Sequence, residues 1–410
     1  MVKVVFASHG SLGDLVPFLE IGKVLLARGH HVTVATHAAH ASHVASAGLT
    51  HRPMRPDRPR DAAFHARFMH PRHGAPFVYR SFLGPAIADS DADLMDAVRG
   101  ADVLVSVTLA LAAPIVAART GLPWRSAAFQ PSMLFSAVDP PKLPMLPFLP
   151  GRVRFNEQLL GYARKGTEGW VTALRKYRRE VGLGEYPDHP VFHGQHAPGG
   201  ILALYSPLFG AVPSDAPPGT VQTGQVLQSG GPELERRVAT FLADGPSPLV
   251  FTLGSASSHA AQRFFVHAAR IARRLGARAL MLVGREENGA GIPADPSIMV
   301  ATAAPYERVF PRASLVVHQG GIGTIALCLA AGVPMVAVPF AHDQPDNAAR
   351  AARLGAARVV PRWRFAASAR VIEAARSDAT LRAAARDARN ALLAERGVER
   401  AADAIIAAAG

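Results

Sequence analysis

The sequence has a single cysteine, few lysines and few aromatic residues, and each scarcity excludes a class of protein. Cys328 has no second cysteine to pair with, so an intrachain disulfide and a cysteine-based zinc site are both excluded. Only five of the 44 basic residues are lysine, and aromatic residues make up 7% of the chain. No basic run is interleaved with aromatic side chains, as a single-strand nucleic-acid binder would require. Despite the net charge of +13, we therefore expect no nucleic-acid partner.

The sequence also lacks an uninterrupted apolar segment of membrane-spanning length. Residues 103–118 and 313–341 carry no Asp, Glu, Lys or Arg, but proline interrupts the first stretch, and glycines and prolines interrupt the second. This pattern favours buried strands and turns over a lipid-facing helix. The chain begins directly with a strand pattern and without the features of a signal peptide, so we expect a cytoplasmic enzyme.

The C-terminal part of the chain is rich in arginine, and its patterns predict helices. A solvated helix face is the simpler interpretation, and a peripheral attraction to an anionic membrane surface is the alternative. The arginines concerned are Arg370, Arg376, Arg382, Arg386, Arg389, Arg396 and Arg400.

Alternating strand and helix patterns predict the fold class. A strand at Val2–Ala7, a glycine turn, an amphipathic helix from Asp14 to Arg28 and a strand at His31–Thr36 form a βαβ unit. A second α/β series begins near residue 247, after a segment rich in proline and glycine. We therefore predict an α/β protein with two doubly wound parallel-sheet domains. The expected boundaries are 1–215 for the N-terminal domain, 216–232 for a linker, 233–380 for the C-terminal domain, and 381–410 for helices that pack back on the N-terminal domain.

Three further patterns each allow two interpretations. The five prolines between residues 140 and 150 predict a stiff apolar loop, which either plugs the core or forms the wall of a pocket for an apolar ligand. Asp89-x-Asp91-x-Asp93 is similar to a metal-binding pattern, but the apolar helical pattern that follows favours helix N-capping. His37, His40 and His43 have a spacing that zinc could use, but no carboxylate or cysteine joins them.

The pattern most indicative of a ligand site lies between residues 316 and 324. A predicted strand ends at His318, Gly320 and Gly321 turn the chain, and a helix begins near Gly323. Helix N-termini bind anions because their N–H groups are unpaired, and glycine lets a phosphate approach the backbone. Asp343 and Gln344 follow the next strand, where a carboxylate beside an amide suits sugar hydroxyls. The alternative role of Asp343 is to cap the next helix.

The segment 301–350 resembles the donor motif of the GT-B, family 1 glycosyltransferases. The matching elements are Ala304-Pro305, His318-x-Gly320-Gly321, Gly332-Val333-Pro334 and Pro339-x-x-x-Asp343-Gln344. Residues 10–18 are similar to the N-terminal motif of the bacterial and sterol-type members, and residues 251–255 to the first loop of the donor domain. A narrower similarity, through residues 130–141 and 318–323, is to the bacterial rhamnosyltransferases of rhamnolipid biosynthesis.

The resemblance implies two Rossmann-like domains that face each other across a cleft and that carry out inverting, metal-independent sugar transfer. No cofactor is implied, only a dTDP- or UDP-sugar as co-substrate. Asp14 would be the general base, with His9 as its rival and helix capping as its alternative role. The implied diphosphate ligands are Ser255, His318, Gly320, Gly321, Gly323 and Thr324, and the implied sugar ligands are Asp343 and Gln344.

Two departures from the family pattern bear on the nucleotide. Ala303 stands where some members have a tryptophan that stacks on the base, so Tyr306 is the candidate ring. Ala326 stands where plant members carry a glutamate for the ribose hydroxyls, which is compatible with a dTDP donor. The candidate acceptor-binding residues are His9, Ser11, Phe135 and Leu146.

The function expected from these similarities is transfer of L-rhamnose from dTDP-rhamnose to a hydroxyalkanoyl lipid. The alternative within the class is transfer from a UDP- or dTDP-sugar to a polyketide, a sterol or another apolar natural product. Two other classes share the fold, namely a noncatalytic auxiliary protein and an epimerase of UDP-sugars. The sequence leaves the oligomeric state open.

Overall fold

The structure is a computed structural model that describes residues 1–59, 61–143, 146–254, 257–261 and 263–410. Its chain divides into two compact units. The first unit comprises Met1–Phe68, Arg72–Val226 and Glu395–Gly410, and the second comprises Met69–Pro71 and Leu227–Ala394. Each unit is built on one parallel sheet, so the predicted two-domain α/β fold class is confirmed.

Seven strands form the sheet described for the first unit. Most of them are apolar runs buried on both faces, as expected where helices cover a parallel sheet from both sides. The strands are β1 (Lys3–Ser8), β2 (His31–Thr36), β3 (Thr50–Pro53), β4 (Val103–Val107), β5 (Trp124–Ala128), β6 (Ile201–Ala203) and β7 (Val221–Gln222). Their order in the sheet is β3-β2-β1-β4-β5-β6-β7.

The helices of the first unit cover this sheet and include the end of the chain. They are α1 (Leu12–Ala27), α2 (Ala41–Ser46), α3 (Ala62–Phe68), α4 (Gly74–Phe77), α5 (Ile87–Ala97), α6 (Ala113–Thr120), α7 (Val153–Thr167) and α8 (Thr172–Glu180). The last helix of the chain, which we label α17 (Gly397–Ala408), packs against α1. Arg28 and Asp403 form an ion pair of 2.6 Å between the ends of these two segments.

The core of the first unit joins α1 to the sheet through aromatic rings. Phe18 on α1 stacks on Phe6 of β1, with ring centroids 4.5 Å apart, and meets Phe129 edge-on at 5.7 Å. Phe6 and Phe18 are fully buried. This packing fixes the position of the start of α1, where Asp14 lies.

Six strands form the sheet described for the second unit. They are β8 (Leu249–Thr252), β9 (Ala279–Leu282), β10 (Ile298–Ala301), β11 (Leu315–His318), β12 (Met335–Ala337) and β13 (Ala357–Val359), in the order β10-β9-β8-β11-β12-β13. The helices are α9 (Arg236–Ala243), α10 (Phe264–Arg274), α11 (Glu286–Gly289), α12 (Tyr306–Val309), α13 (Ile322–Ala331), α14 (Gln344–Arg353), α15 (Ala369–Ser377) and α16 (Ala379–Leu393).

Apart from the three residues Met69–Pro71, which group with the second unit, the chain passes from one unit to the other at two places. The first of these, between Val226 and Leu227, lies inside the predicted linker 216–232. The return crossing follows Ala394, so the segment that returns begins at Glu395 and not at residue 381. The reason is that α16 buries its apolar face within the second unit, through Leu381, Ala385, Ala388 and Leu392.

No helix in the described part of the chain is long and apolar enough to cross a membrane. The two uncharged stretches noted in the sequence form the strands β4, β11 and β12 with the helices α6 and α13.

Several arginines near the end of the chain bind the protein itself. Arg376 pairs with Glu373, and backbone carbonyls accept hydrogen bonds from Arg382, Arg389 and Arg400. Attraction to a membrane surface stays a prediction.

Each sheet has one point where the strand order reverses. In the first sheet the point lies between β1 and β4, and in the second it lies between β8 and β11. Open α/β sheets bind ligands beyond the carboxyl ends of the strands at such points. Asp14 lies at the start of α1, which follows β1, and the glycine motif follows β11. Both predicted motifs therefore lie at reversal points.

Candidate active site

Asp14 lies in the first turn of α1 and uses one carboxylate oxygen to cap the helix. Its Oδ2 accepts hydrogen bonds from the backbone N–H of Ser11 at 2.5 Å and from the Ser11 hydroxyl at 3.0 Å. Its Oδ1 bonds to none of the other described residues. The side chain is half-buried. Capping therefore leaves Oδ1 available, and the two predicted roles of Asp14 are compatible.

Gly10 makes room for this carboxylate. A Cβ atom at residue 10 would lie 2.1 Å from the Cβ of Asp14 and 2.2 Å from its Oδ2. Real Cβ atoms do not approach other atoms so closely, so any other residue at position 10 would displace Asp14. Gly13, in contrast, meets only the Ser11 hydroxyl, at 3.5 Å.

His9, the rival base and a predicted acceptor ligand, is buried and does not line an open surface. Its side chain is 2% exposed, and its ring packs edge-on against His37 with centroids 5.0 Å apart. Burial, together with the nearby His37 and Arg58, holds the pKa of His9 well below its usual value. The roles of His9 as an acceptor ligand and as the rival base stay predictions.

Acid should destabilise this packing of histidines. Burial lowers the pKa of His37 from 6.5 to about 4, so the unfolded chain binds more protons between these two values. Above pH 6.5 His37 therefore does not lower the free energy of unfolding. Between pH 6.5 and about 4 it lowers the free energy of unfolding by about 1.4 kcal/mol for each unit by which the pH falls. Urea unfolding at pH 7.5 and 5.5 measures this loss. His37→Gln should reduce the difference, and His43→Gln, at an exposed site, should not. If the free energy of unfolding depends on pH in the same way in His37→Gln and in the wild type, the burial of the His37 ring is contradicted.

Arg58 is a residue of this region that sequence reasoning missed. Its Nη2 donates to the backbone carbonyl of His9 at 3.2 Å, and its guanidinium carbon lies 4.6 Å from the ring centroid of Phe68. Burial lowers the pKa of Arg58, while the Asp14 carboxylate opposes this lowering. A cation therefore lies near Asp14. Nothing in an arginine-rich sequence distinguishes this arginine from the others.

The proline-rich segment is fixed by a buried amide. Asn156 on α7 donates to the carbonyls of Ala137 and Leu149, both at 2.9 Å, and accepts from the Leu149 N–H at 3.0 Å. Pro144 and Met145 lie outside the described residues. Val138, Leu149 and Phe155, next to these contacts, are 40%, 47% and 42% exposed. Within the segment itself Leu149 is exposed, Leu146 and Phe148 are half-buried and Pro141 is buried, so its described residues do not form a fully buried plug.

Two further predicted acceptor residues are Phe135, which precedes this segment, and Leu146, which lies within it. Phe135 adopts a left-handed backbone conformation with φ 48°, and its ring lies 4.8 Å from that of Phe192. Such strain in a residue other than glycine is common at functional sites. Leu146 is half-buried and forms an isolated bridge with Leu143. Their contact with an acceptor stays a prediction.

The aspartate pattern at 89–93 has a structural role that differs from the predicted one. Helix α5 begins at Ile87 with Ala86 as its N-cap, so the three aspartates lie inside the helix. Asp89 and Asp93 bind Arg55, at 2.8 and 2.7 Å. Asp91 is buried and accepts hydrogen bonds from Arg119 and Tyr177. The N-capping interpretation is wrong, because the helix begins earlier than the aspartates indicate.

His37, His40 and His43 form a row of rings, with successive centroids 5.8 and 5.9 Å apart. His37 Nε2 lies 3.3 Å from the carbonyl oxygen of His9. Among the described residues, no group of three or more His, Cys, Asp or Glu side chains is arranged to hold a metal ion. The zinc interpretation of this row therefore has no structural support.

The glycine motif of the second unit leaves the start of α13 open, as the predicted anion site requires. Gly321 is the N-cap and offers no side-chain cap, so the N–H groups of the first turn have no partner within the helix. Gly323 borders open space, and the Thr324 side chain is buried. Gly320 has φ +89°, and a Cβ there would lie 3.1 Å from the carbonyl oxygen of Gln344. A phosphate can therefore approach this backbone.

His318 adds a neutral hydrogen-bond donor to this site. Its Nδ1 accepts the Gly320 N–H at 3.0 Å, which leaves the proton of the neutral ring on Nε2. Burial lowers the pKa of His318 to about 3. Nε2 is buried and has no partner among the described residues. A phosphate oxygen is the kind of acceptor that this N–H lacks.

Gln344 fixes the loop that precedes α14. Its Oε1 accepts the N–H groups of Phe340 and Ala341, at 2.8 and 3.1 Å, and its Nε2 donates to the Ser257 hydroxyl at 3.0 Å. One Nε2 hydrogen is left for a ligand. Ser255, one of the predicted phosphate ligands, lies outside the described residues.

Asp343 precedes α14 and follows a strained residue. It occupies the N-cap position but makes no side-chain capping bond, and its Oδ2 instead accepts from Asn347 Nδ2. His342 has φ 57°, a left-handed conformation. The capping alternative for Asp343 therefore lacks its hydrogen bond, and the sugar-binding role stays a prediction.

Of the two candidate residues for the nucleotide base, Tyr306 already has partners inside the second unit. Its ring stacks on Phe310 with centroids 4.6 Å apart, and its hydroxyl lies 2.6 Å from that of Thr252. Ala303 is exposed and offers only a methyl group. Tyr306 therefore has one ring face occupied, and its stacking on a base stays a prediction.

Comparison with known proteins identifies the class to which such a two-unit chain belongs. The Glycosyltransferase family 28 C-terminal domain matches residues 286–404. The O-mycaminosyltylonolide 6-deoxyallosyltransferase of Streptomyces fradiae is 32% identical over 422 residues, which cover 98% of this chain and 96% of that protein.

Two solved structures share the fold over nearly their whole length. The glycosyltransferase of kitacinnamycin has a TM-score of 0.73 at 22% identity and covers 100% of this chain and 99% of its own. VinC in complex with dTDP has a TM-score of 0.71 at 19% identity and covers 99% of both chains.

The fold is therefore that of the GT-B glycosyltransferases. The chain belongs to this glycosyltransferase family, as the full-length similarity to the Streptomyces fradiae enzyme shows. The predicted class and the predicted enzyme activity are confirmed. The domain match is to family 28, whereas the motifs resembled family 1. The auxiliary-protein and epimerase alternatives are disfavoured by this membership.

Proposed function

We propose that the enzyme transfers a 6-deoxyhexose from a dTDP-linked donor to a hydroxyl of an apolar, polyketide-type natural product. The observation that carries the proposal is the similarity, along 98% of the chain, to a transferase named for a 6-deoxyallosyl group and for O-mycaminosyltylonolide. This choice replaces the hydroxyalkanoyl lipid as the preferred acceptor.

The donor half of the proposal rests on the second unit. A neutral His318 N–H and the first-turn N–H groups of α13 suit a diphosphate. Ala326 on α13 is buried and offers no carboxylate to a ribose 2′-hydroxyl, which suits a deoxyribose nucleotide. VinC, of the same fold, was crystallised with dTDP.

The acceptor half rests on the first unit. The outward-facing side chains of Val138, Leu149 and Phe155 form an apolar surface beside the proline-rich segment. Burial of apolar area is the main favourable contribution to binding of a ligand with few polar groups. A polyketide-type acceptor offers such area together with hydroxyl groups that can be glycosylated.

The proposed chemistry is an in-line displacement that inverts the anomeric carbon. Asp14 takes the proton of the acceptor hydroxyl on Oδ1 while its Oδ2 keeps the bonds to Ser11. The new bond joins the acceptor oxygen to the anomeric carbon, and the bond to the diphosphate breaks. His318 and the helix N-terminus stabilise the negative charge of the leaving diphosphate without a metal ion.

A transfer assay with two acceptor panels tests the proposal. The purified enzyme is incubated in EDTA with dTDP-6-deoxyhexoses, including dTDP-L-rhamnose, and with either macrolide and polyketide alcohols or hydroxyalkanoyl lipids. We expect products of inverted anomeric configuration in the first panel only, as measured by mass spectrometry and NMR.

The other outcomes of the assay have definite meanings. Rhamnosylated lipid would establish a rhamnolipid-type activity and would overturn the proposed acceptor. Transfer from UDP-glucose but from none of the dTDP donors would overturn the proposed donor.

A further inference from the structure

Gln319, next to His318, is a buried amide whose oxygen has no protein partner. The side chain is 4% exposed, and its Oε1 makes no hydrogen bond to any described residue. It follows β11 directly, at the reversal point of the second sheet. A buried polar atom without a partner is rare in native proteins, and a ligand that is bound during function is one explanation.

The amide lies between two glycines that border the anion site. A Cβ at Gly254 would lie 2.4 Å from Gln319 Nε2, and a Cβ at Gly321 would lie 2.8 Å from the same atom. Gly254 follows β8, and Gly321 is the N-cap of α13. Both distances are shorter than those of real Cβ contacts, so a side chain at either glycine would displace the Gln319 amide from this position.

The second glutamine at this edge of the sheet provides a comparison. Both polar atoms of Gln344 bond to the protein, its Oε1 to two backbone N–H groups and its Nε2 to Ser257. Gln344 therefore has a structural role that explains its burial. For Gln319 no such bond to a described residue accounts for the burial of its oxygen.

We propose that Gln319 is a donor-binding residue in which Nε2 donates a hydrogen bond to a diphosphate oxygen, while Oε1 accepts one from a hydroxyl of the donor's sugar. This inference rests on the proposed function, because it assumes a nucleoside diphosphate sugar at the start of α13. The amide is neutral, as is His318, so both residues bind the diphosphate through hydrogen bonds and not through net charge.

Two substitutions test the hydrogen bond. Gln319→Ala removes the amide, and Gln319→Glu replaces the donor with an anion that repels a phosphate. We expect dTDP to bind about 10- to 100-fold more weakly to Gln319→Ala, and more weakly still to Gln319→Glu. Binding of thymidine, which has no phosphate, should change little in an NMR titration.

A double-mutant cycle with Gly254→Ala separates this role from general damage. In the wild-type background the added methyl overlaps the Gln319 amide, so Gly254→Ala alone should weaken dTDP binding. In Gln319→Ala the overlap is absent, so the second substitution should cost nothing further. Additive losses from the two substitutions would overturn the proposed placement of the amide.

The outcomes separate this inference from the proposed function. If the wild-type protein binds neither dTDP nor UDP, the proposed function fails. If the wild-type protein binds dTDP and the Gln319 variants bind it equally well, only the role of Gln319 fails. A thermal unfolding curve for each variant identifies any loss that comes from unfolding.

Discussion

Asp14→Asn is expected to reduce kcat by about 100- to 10,000-fold, the usual contribution of a general base. An asparagine retains an oxygen that can accept the Ser11 N–H, as Asp14 Oδ2 does at 2.5 Å, so the cap of α1 should persist. What the variant lacks is the basicity of the second oxygen. The measurement is single-turnover transfer with saturating donor, together with calorimetry of dTDP binding.

The controls for this prediction come from the same turn. Ser11→Ala removes the hydroxyl contact of 3.0 Å but keeps the Asp14 carboxylate, so it should retain most of the kcat, and loss of a predicted acceptor contact by Ser11 should raise the acceptor KM instead. Binding of dTDP to Asp14→Asn should equal that of the wild type, because the proposed nucleotide ligands lie in the other unit. Near-normal turnover by Asp14→Asn would show that Asp14 only caps the helix and that the base is another residue.

His318→Ala is expected to weaken dTDP binding by about 10- to 100-fold, since a hydrogen bond to a charged group contributes about 1.5–3 kcal/mol. The buried Nε2–H, which no described residue accepts, is the group that the variant loses. Calorimetric titration measures the loss directly. His318→Asn, which keeps a short donor, should lose less than His318→Ala.

The pH dependence of binding tests the same residue in a second way. Burial lowers the pKa of His318 to about 3, so the ring stays neutral from pH 5.5 to 8. The affinity for a dTDP-sugar should therefore be constant over this range. An affinity that rises as the pH falls through 6.5 and that loses this rise in His318→Ala would contradict a neutral donor.

The sequence predicted most of the fold because the central strands are continuous apolar runs. Val103–Val107 and Leu249–Thr252 are strands close to where the patterns placed them. Three strands were missed. Thr50–Pro53 is polar and lies at a sheet edge, while Ile201–Ala203 and Val221–Gln222 have too few residues to show a periodicity.

The candidate site was predictable where its chemistry depends on local sequence. Glycine turns after strands identify the positions of Asp14 and His318, because a strand, a glycine and a helix follow one another within a few residues. The positions of the Arg58 and Gln319 side chains could not be predicted in this way, because they depend on contacts with residues far along the chain. Arg58 contacts the His9 carbonyl, and Gln319 lies beside Gly254. The partner of Asp91, Arg119, and the partner of Gln344 Nε2, Ser257, are likewise far away in the sequence.

Calorimetric titration of the wild-type protein with dTDP and with UDP, in EDTA, tests whether this enzyme binds a deoxyribonucleoside diphosphate. We expect both nucleotides to bind without metal, dTDP more tightly, because the proposed site offers neutral N–H donors and Ala326 provides no carboxylate. Tighter binding of UDP would contradict the deoxyribose donor. Failure of both nucleotides to bind would contradict the assignment of the second unit as the donor site.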